Sequence, residues 1–154
     1  MDKSQLIKSA SLLNDVSTSA AYEYSNKSDK LIAEINERIS SRQDLELLVG
    51  NGNLAMMRDN HANHVRFISS IIKNRNDEVL VETILWVFHA YKNHGFSTSY
   101  WAAQLNTWIE ILQQNLTKET YAEIYPYYEW MQVNIPIFSI LSEKFTGHHI
   151  PEHQ

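Results

Sequence analysis

The chain has 154 residues, 44% of them hydrophobic, with 18 acidic against 13 basic side chains and a net charge of -5. That is enough for one domain with its own core, and the lack of any cysteine excludes disulfides, thiolate catalysis, thiolate metal sites and thioether-anchored cofactors. The acidic balance and scattered basic residues argue against a nucleic-acid partner. No stretch approaches the ~18 apolar residues of a membrane span.

The polar opening MDKSQLIKSASLL lacks the apolar centre of a signal peptide, so the expected compartment is the cytoplasm. Four glycines and three prolines are few, which favours long helices. A first helix is expected from about Ser4 to Tyr24, with Leu6, Leu13, Val16 and Ala20 inward. A second starts at Ser28 or Asp29, either able to cap it, and carries Leu31, Ile32, Ile35 and Ile39. Asp44–Val49 reads as a short helix closed by Gly50. Asn53 is expected to cap a helix from Leu54 to Lys73, striped by Leu54, Met57, Val65, Ile68 and Ile72.

After a corner at Asn74–Asp77, a helix from Glu78 to His94 ends at Gly95. A strand over Val79–Val87 is rejected, because helical caps flank it and no partner strand exists. Ser97 or Thr98 caps a helix from Ser99 to Leu116, and Thr117 caps the last and longest one, which Pro126 and Pro136 should bend or break. The expectation is an all-α, single domain of six to eight helices over residues 1–145, with a flexible tail over 146–154 that holds His148, His149 and His153.

Three motifs between Leu54 and Tyr128 carry a resemblance: His61-x-x-x-Val65, Leu85-x-x-x-His89, and the corner Gly95-Phe96-Ser-Thr-Ser-Tyr100. Together they resemble the second half of a globin. The histidines lie 89 − 61 = 28 residues apart, close to the globin interval between distal and proximal positions. The run Met56-Met57-Arg58-Asp59 and the segment Ser97–Trp101 are also similar to phycobiliproteins, with Met56 where those proteins anchor a bilin through cysteine.

The resemblance implies a globin-like fold with non-covalently bound haem b, His89 as proximal iron ligand and His61 on the distal side. It implies a cofactor slot made of Met57, Arg58, His61, His64, Val65, Ile68, Leu85, Phe88, His89, Phe96 and Tyr100. The residues themselves support such a slot, because two helices that each turn a histidine inward could clamp an iron. His64 is the other candidate for the distal position. His94, just before Gly95, reads first as a helix C-terminal group and second as an axial ligand paired with His64. Arg58, Arg66, Lys73 and Lys92 are candidates to meet propionates or simply to face water.

A binding protein is expected, not an enzyme: gas binding, redox or haem handling, with a diatomic gas as ligand. His61-x-x-His64 with Glu78 and Glu82 lacks the repeated Glu-x-x-His of a di-iron bundle, and no phosphate loop or hydrolase triad is recognisable. The alternatives are a haem-free sensory or interaction module and a non-covalent bilin carrier using Arg58 and Asp59. The segment before the distal helix offers Leu45, Leu47, Leu48 and Val49 where haem globins have a phenylalanine, which suits the haem-free form. A dense aromatic set, Trp86, Phe88, Tyr91, Trp101, Trp108, Tyr121, Tyr125, Tyr127, Tyr128 and Trp130, suggests burial against a second subunit as a homodimer.

Overall fold

In the computed structural model, which describes residues 1–145, the chain forms α1 (Lys3–Ala10), α2 (Thr18–Asn26), α3 (Ser28–Ser40), α4 (Leu45–Val49), α5 (Leu54–Lys73), α6 (Asp77–Asn93), α7 (Thr98–Asn115), α8 (Lys118–Val133) and α9 (Ile135–Glu143). All described secondary structure is helical, and no described helix is long and apolar enough to cross a membrane. Among the described residues the nine helices exceed the expected six to eight because two expected helices are each split.

The first expected helix breaks between Ala10 and Thr18. Leu12 is exposed there, while the hydroxyl of Ser17 accepts from the Ala20 N–H and starts α2 afresh. Arg75, at the corner between α5 and α6, holds this break in place. Its guanidinium donates to the carbonyls of Ala10 and Leu13, to Asp15 and Asp77, and to the Tyr127 hydroxyl. The last expected helix continues through Pro126 and divides only at Asn134, with Pro136 in the first turn of α9, where a missing N–H costs nothing.

Caps agree with expectation at Thr117, whose hydroxyl accepts from the Thr120 N–H, and at Ser97. Asn53 does not cap α5 through its side chain. Its amide donates instead to the carbonyls of Val49 and His94, tying the end of α4 to the end of α6. Neither Ser28 nor Asp29 caps α3; the N-cap position falls on Lys27, which makes no side-chain cap bond.

Helix α7 is central, packed on α3, α8, α4 and α9. Helix α5 packs on α2 and α3, whereas α6 packs on α1 and α9. The middle of α5 and the middle of α6 thus belong to different neighbours, and a gap lies between them. Of the aromatic set, Phe88, Tyr91, Trp101, Trp108, Tyr127, Tyr128 and Trp130 are buried within the single chain, whereas Trp86, Tyr121 and Tyr125 are part-exposed.

Candidate functional site

The gap between α5 and α6 is a cavity of about 50 Å³. Its α5 wall consists of Asn60, Asn63, His64, Phe67 and Ile68, and its α6 wall of Thr83, Ile84, Val87, Phe88 and Tyr91. Trp101, Gln104 and Leu105 of α7 close one side, with Met131 of α8 and Phe138 of α9. Each wall repeats at three and four residues, the spacing that brings side chains onto one helix face. No lysine, arginine, aspartate or glutamate lines it.

Several polar groups of the wall belong to two connected sets. In the first, the Asn60 side-chain oxygen Oδ1 accepts from the Tyr100 hydroxyl at 2.8 Å and from the Gln104 amide, which also donates to Tyr100 at 3.0 Å. Burial pushes the Tyr100 and Tyr91 phenols up, so both stay protonated. In the second, His64 Nε2 lies 2.8 Å from the Tyr128 hydroxyl, itself 2.7 Å from the Tyr24 hydroxyl. Burial lowers His64 to about 3, so its imidazole is neutral in the neutral pH range.

One wall group is sealed off without a partner. Thr83 is 1% exposed, and its hydroxyl oxygen, closed to solvent, makes no hydrogen bond. A helical threonine can bond the carbonyl one turn back, as Thr107 does to Ala103 at 2.7 Å. An unsatisfied buried hydroxyl costs about 1–3 kcal/mol.

The histidines expected to clamp an iron lie elsewhere. His61 is fully buried and turned toward α3, where Nδ1 lies 2.7 Å from the Asn36 side-chain oxygen. With Nδ1 as donor, Nε2 is a bare lone pair, and it has no partner between the stacked Tyr100 ring and the edge-on Trp108 ring. Burial, then the neighbouring His64, lowers His61 to about 3. His89 is turned toward α9, with Nδ1 3.2 Å from the Ser142 carbonyl and Nε2 3.2 Å from the Asn93 amide. Neither ring is among the residues lining the cavity.

Of the other expected slot residues, Ile68 and Phe88 line the cavity with His64. Met57, Val65 and Leu85 are buried in the core on other faces, and Phe96 packs edge-on against Tyr91 and Tyr100. Arg58 and His94 are exposed. Lys73 donates to Ser25, Arg66 to Asn63, and Lys92 pairs with Glu143 at 3.2 Å. Among the described residues, no group of three or more histidine, aspartate or glutamate side chains is placed to hold a metal ion.

The cavity is smaller than the several hundred Å³ that cofactor sites ordinarily enclose, and its α6 wall carries no imidazole. Only His64, Ile68 and Phe88 of the expected slot line the cavity, and the polar wall residues that the sequence reading missed include Asn60, Asn63, Thr83 and Gln104. Asn60 and His64 share the i, i+4 spacing, and Gln104 interrupts an apolar stripe between Trp101 and Leu105, so both carried a legible signal. No family model, curated protein or solved structure matches the chain.

Proposed function

We propose that this chain is a haem-free, globin-like sensory module that takes a small ligand in the cavity between α5 and α6. The observation that carries the reading is the makeup of that cavity: apolar and aromatic walls, a few convergent polar groups, and no imidazole on the α6 side. Such a composition is characteristic of small-molecule sites. Five helices contribute to the wall, so a ligand that altered the spacing of α5 and α6 would be felt at α7, α8 and α9 together.

Haem b is the second reading, favoured by the unpartnered Nε2 of the buried His61. It places His89 proximal and His61 distal, with a diatomic gas as the exchangeable ligand, and it requires α6 to turn so that His89 leaves Ser142. A bilin held through Arg58 and Asp59 is a third form of the same fold idea.

Absorption spectra of the purified protein, before and after one equivalent of hemin, test all three. The haem-free reading expects no visible band and a hemin spectrum unchanged by the protein. A sharpened Soret band, abolished in His89→Ala, would replace it with the haem globin. A broad orange or red band in the purified protein would replace it with the bilin carrier.

A further inference from the structure

The cavity of the proposed sensory module has a polar end built from three helices. Asn60 of α5, Tyr91 of α6 and Gln104 of α7 line it and are 4%, 7% and 2% exposed. The bonds among the wall groups leave two of them over. Gln104 spends its amide nitrogen on Asn60 and Tyr100, while its Oε1 accepts from nothing among the described residues. The Asn60 oxygen has both lone pairs engaged, by Tyr100 and Gln104, so it takes no proton from the Tyr91 phenol. The phenol lies beside Asn60 all the same, since burial pushes its pKa up and the Asn60 side chain offsets part of that push. Neither Gln104 Oε1 nor the Tyr91 hydroxyl is closed to a water-sized molecule, in contrast to the Thr83 hydroxyl oxygen. With both residues almost wholly buried, the opening these two atoms have is the cavity that they line.

One unspent acceptor and one unspent donor, both next to Asn60, complement a molecule that carries a donor and an acceptor of its own. No lysine, arginine, aspartate or glutamate lines the cavity, so a charged ligand would lose its hydration without a counter-ion. The space is about 50 Å³, and at roughly 10–15 Å³ for each water-sized group it takes about three to five non-hydrogen atoms. We infer that the ligand is a small neutral amide, the size of formamide or acetamide, whose N–H donates to Gln104 Oε1 and whose carbonyl oxygen accepts from the Tyr91 hydroxyl. So few atoms hold the dissociation constant to the order of 0.1 mM or weaker, suited to sensing an abundant small metabolite rather than storing a rare one. This inference rests on the cavity reading above, and the test separates the two.

The probes are acetamide, acetone and xenon, followed through methyl and indole resonances of the cavity wall in wild type and Tyr91→Phe. Acetone has the shape of acetamide with a methyl in place of the amino group, so it tests the bond to Gln104 without disturbing the Asn60 network. The expected result is saturable binding of all three probes to wild type, with acetone about tenfold weaker than acetamide for the loss of one hydrogen bond. Tyr91→Phe should weaken acetamide about tenfold and leave xenon no weaker, because it removes a donor and keeps the ring. Equal affinity for acetone and acetamide would overturn the amide class while leaving the cavity reading intact. Unaltered acetamide affinity in Tyr91→Phe would overturn the role of the hydroxyl. Entry of xenon alone would overturn the ligand class, and entry of no probe would overturn the cavity reading itself. Should Tyr91→Phe fail to fold, intermolecular Overhauser contacts from acetamide to the Tyr91 ring and Gln104 methylene protons in wild type decide the matter, and their absence at saturation sinks the inference.

Discussion

The Tyr128 hydroxyl sits 2.8 Å from His64 Nε2 and 2.7 Å from the Tyr24 hydroxyl, so one oxygen on α8 serves partners on α5 and α2 at once. A phenol has one donor and two acceptor positions, which is enough for both bonds. Tyr24 and Tyr128 are fully buried, so neither bond can be replaced by water without opening the core. Tyr128→Phe strands both neighbours, and the expected loss is about 2–4 kcal/mol in urea denaturation. Tyr24→Phe removes only the end of the chain and should cost less, about 1 kcal/mol. Equal losses would mean that the three groups do not act as a unit.

Two neutral imidazoles in the core make stability depend on pH. Burial holds His61 and His64 near 3, against 6.5 for a free imidazole. As pH falls below 6.5, the unfolded chain binds protons that the folded chain refuses until near 3. Their contribution is therefore fully present above the unfolded value and is lost as pH falls toward the folded one. The slope is about 1.4 kcal/mol per pH unit for each imidazole. Glu23, held to about 2 against 4.5 despite its desolvation by hydrogen bonds from Lys27, Thr117 and Thr120, adds a loss of the same sign at lower pH. Denaturation of His64→Gln at pH 7, 6 and 5 should show about half the wild-type slope. An undiminished slope would exclude His64 as a source.

The legible parts of the fold are those where local chemistry acts alone. The stripe Leu31, Ile35, Ile39, the short helix before Gly50 and the cap at Thr117 can be read from neighbours within four residues. The break at residues 11–17 cannot, because Ser11–Ser17 keeps a helical spacing through Leu13 and Val16 and the decisive partner, Arg75, is some sixty residues away. The candidate site shows the same limit. Helix period put His61 and His89 on the stripes of Met57 and Val65 and of Val81 and Leu85, all four buried; His61 is buried with them, while His89 is only part-buried. A period does not say which neighbour an inward face meets, and here those faces meet α3 and α9.

Arg75 can be tested directly. Its side chain is 18% exposed and satisfies the Ala10 and Leu13 carbonyls as well as the Tyr127 hydroxyl, which in turn bonds the Asn14 carbonyl. Arg75→Met keeps much of the stem and removes the fork, which leaves several acceptors short of a donor. The expected cost is about 2–4 kcal/mol. Hydrogen exchange should quicken first in residues 11–17 and the end of α1. Arg75→Lys should recover little, since one ammonium cannot reach acceptors on α1, the 11–17 loop and α8 together. Uniformly quickened exchange over all the described helices would show instead that the residue supports the whole core rather than the break.

Gly50 and Gly52 lie two residues apart with nearly the same φ, +83° and +79°, yet their surroundings differ. At Gly50 ψ is 165°, a combination open almost only to glycine. An added Cβ would also stand 3.1 Å from the Gly95 carbonyl oxygen and from the Asn53 amide nitrogen. That amide ties Val49 to His94, so a shift there loosens the join between α4 and the end of α6. At Gly52 nothing lies within 4 Å of an added Cβ, and only the backbone strain remains. Gly52→Ala should therefore cost about 1 kcal/mol and Gly50→Ala about 2–3 kcal/mol. Thermal unfolding of the two variants measures the difference. Equal midpoints would mean that the Gly50–Gly95 approach yields without cost and that the Asn53 bridge does not fix the end of α6.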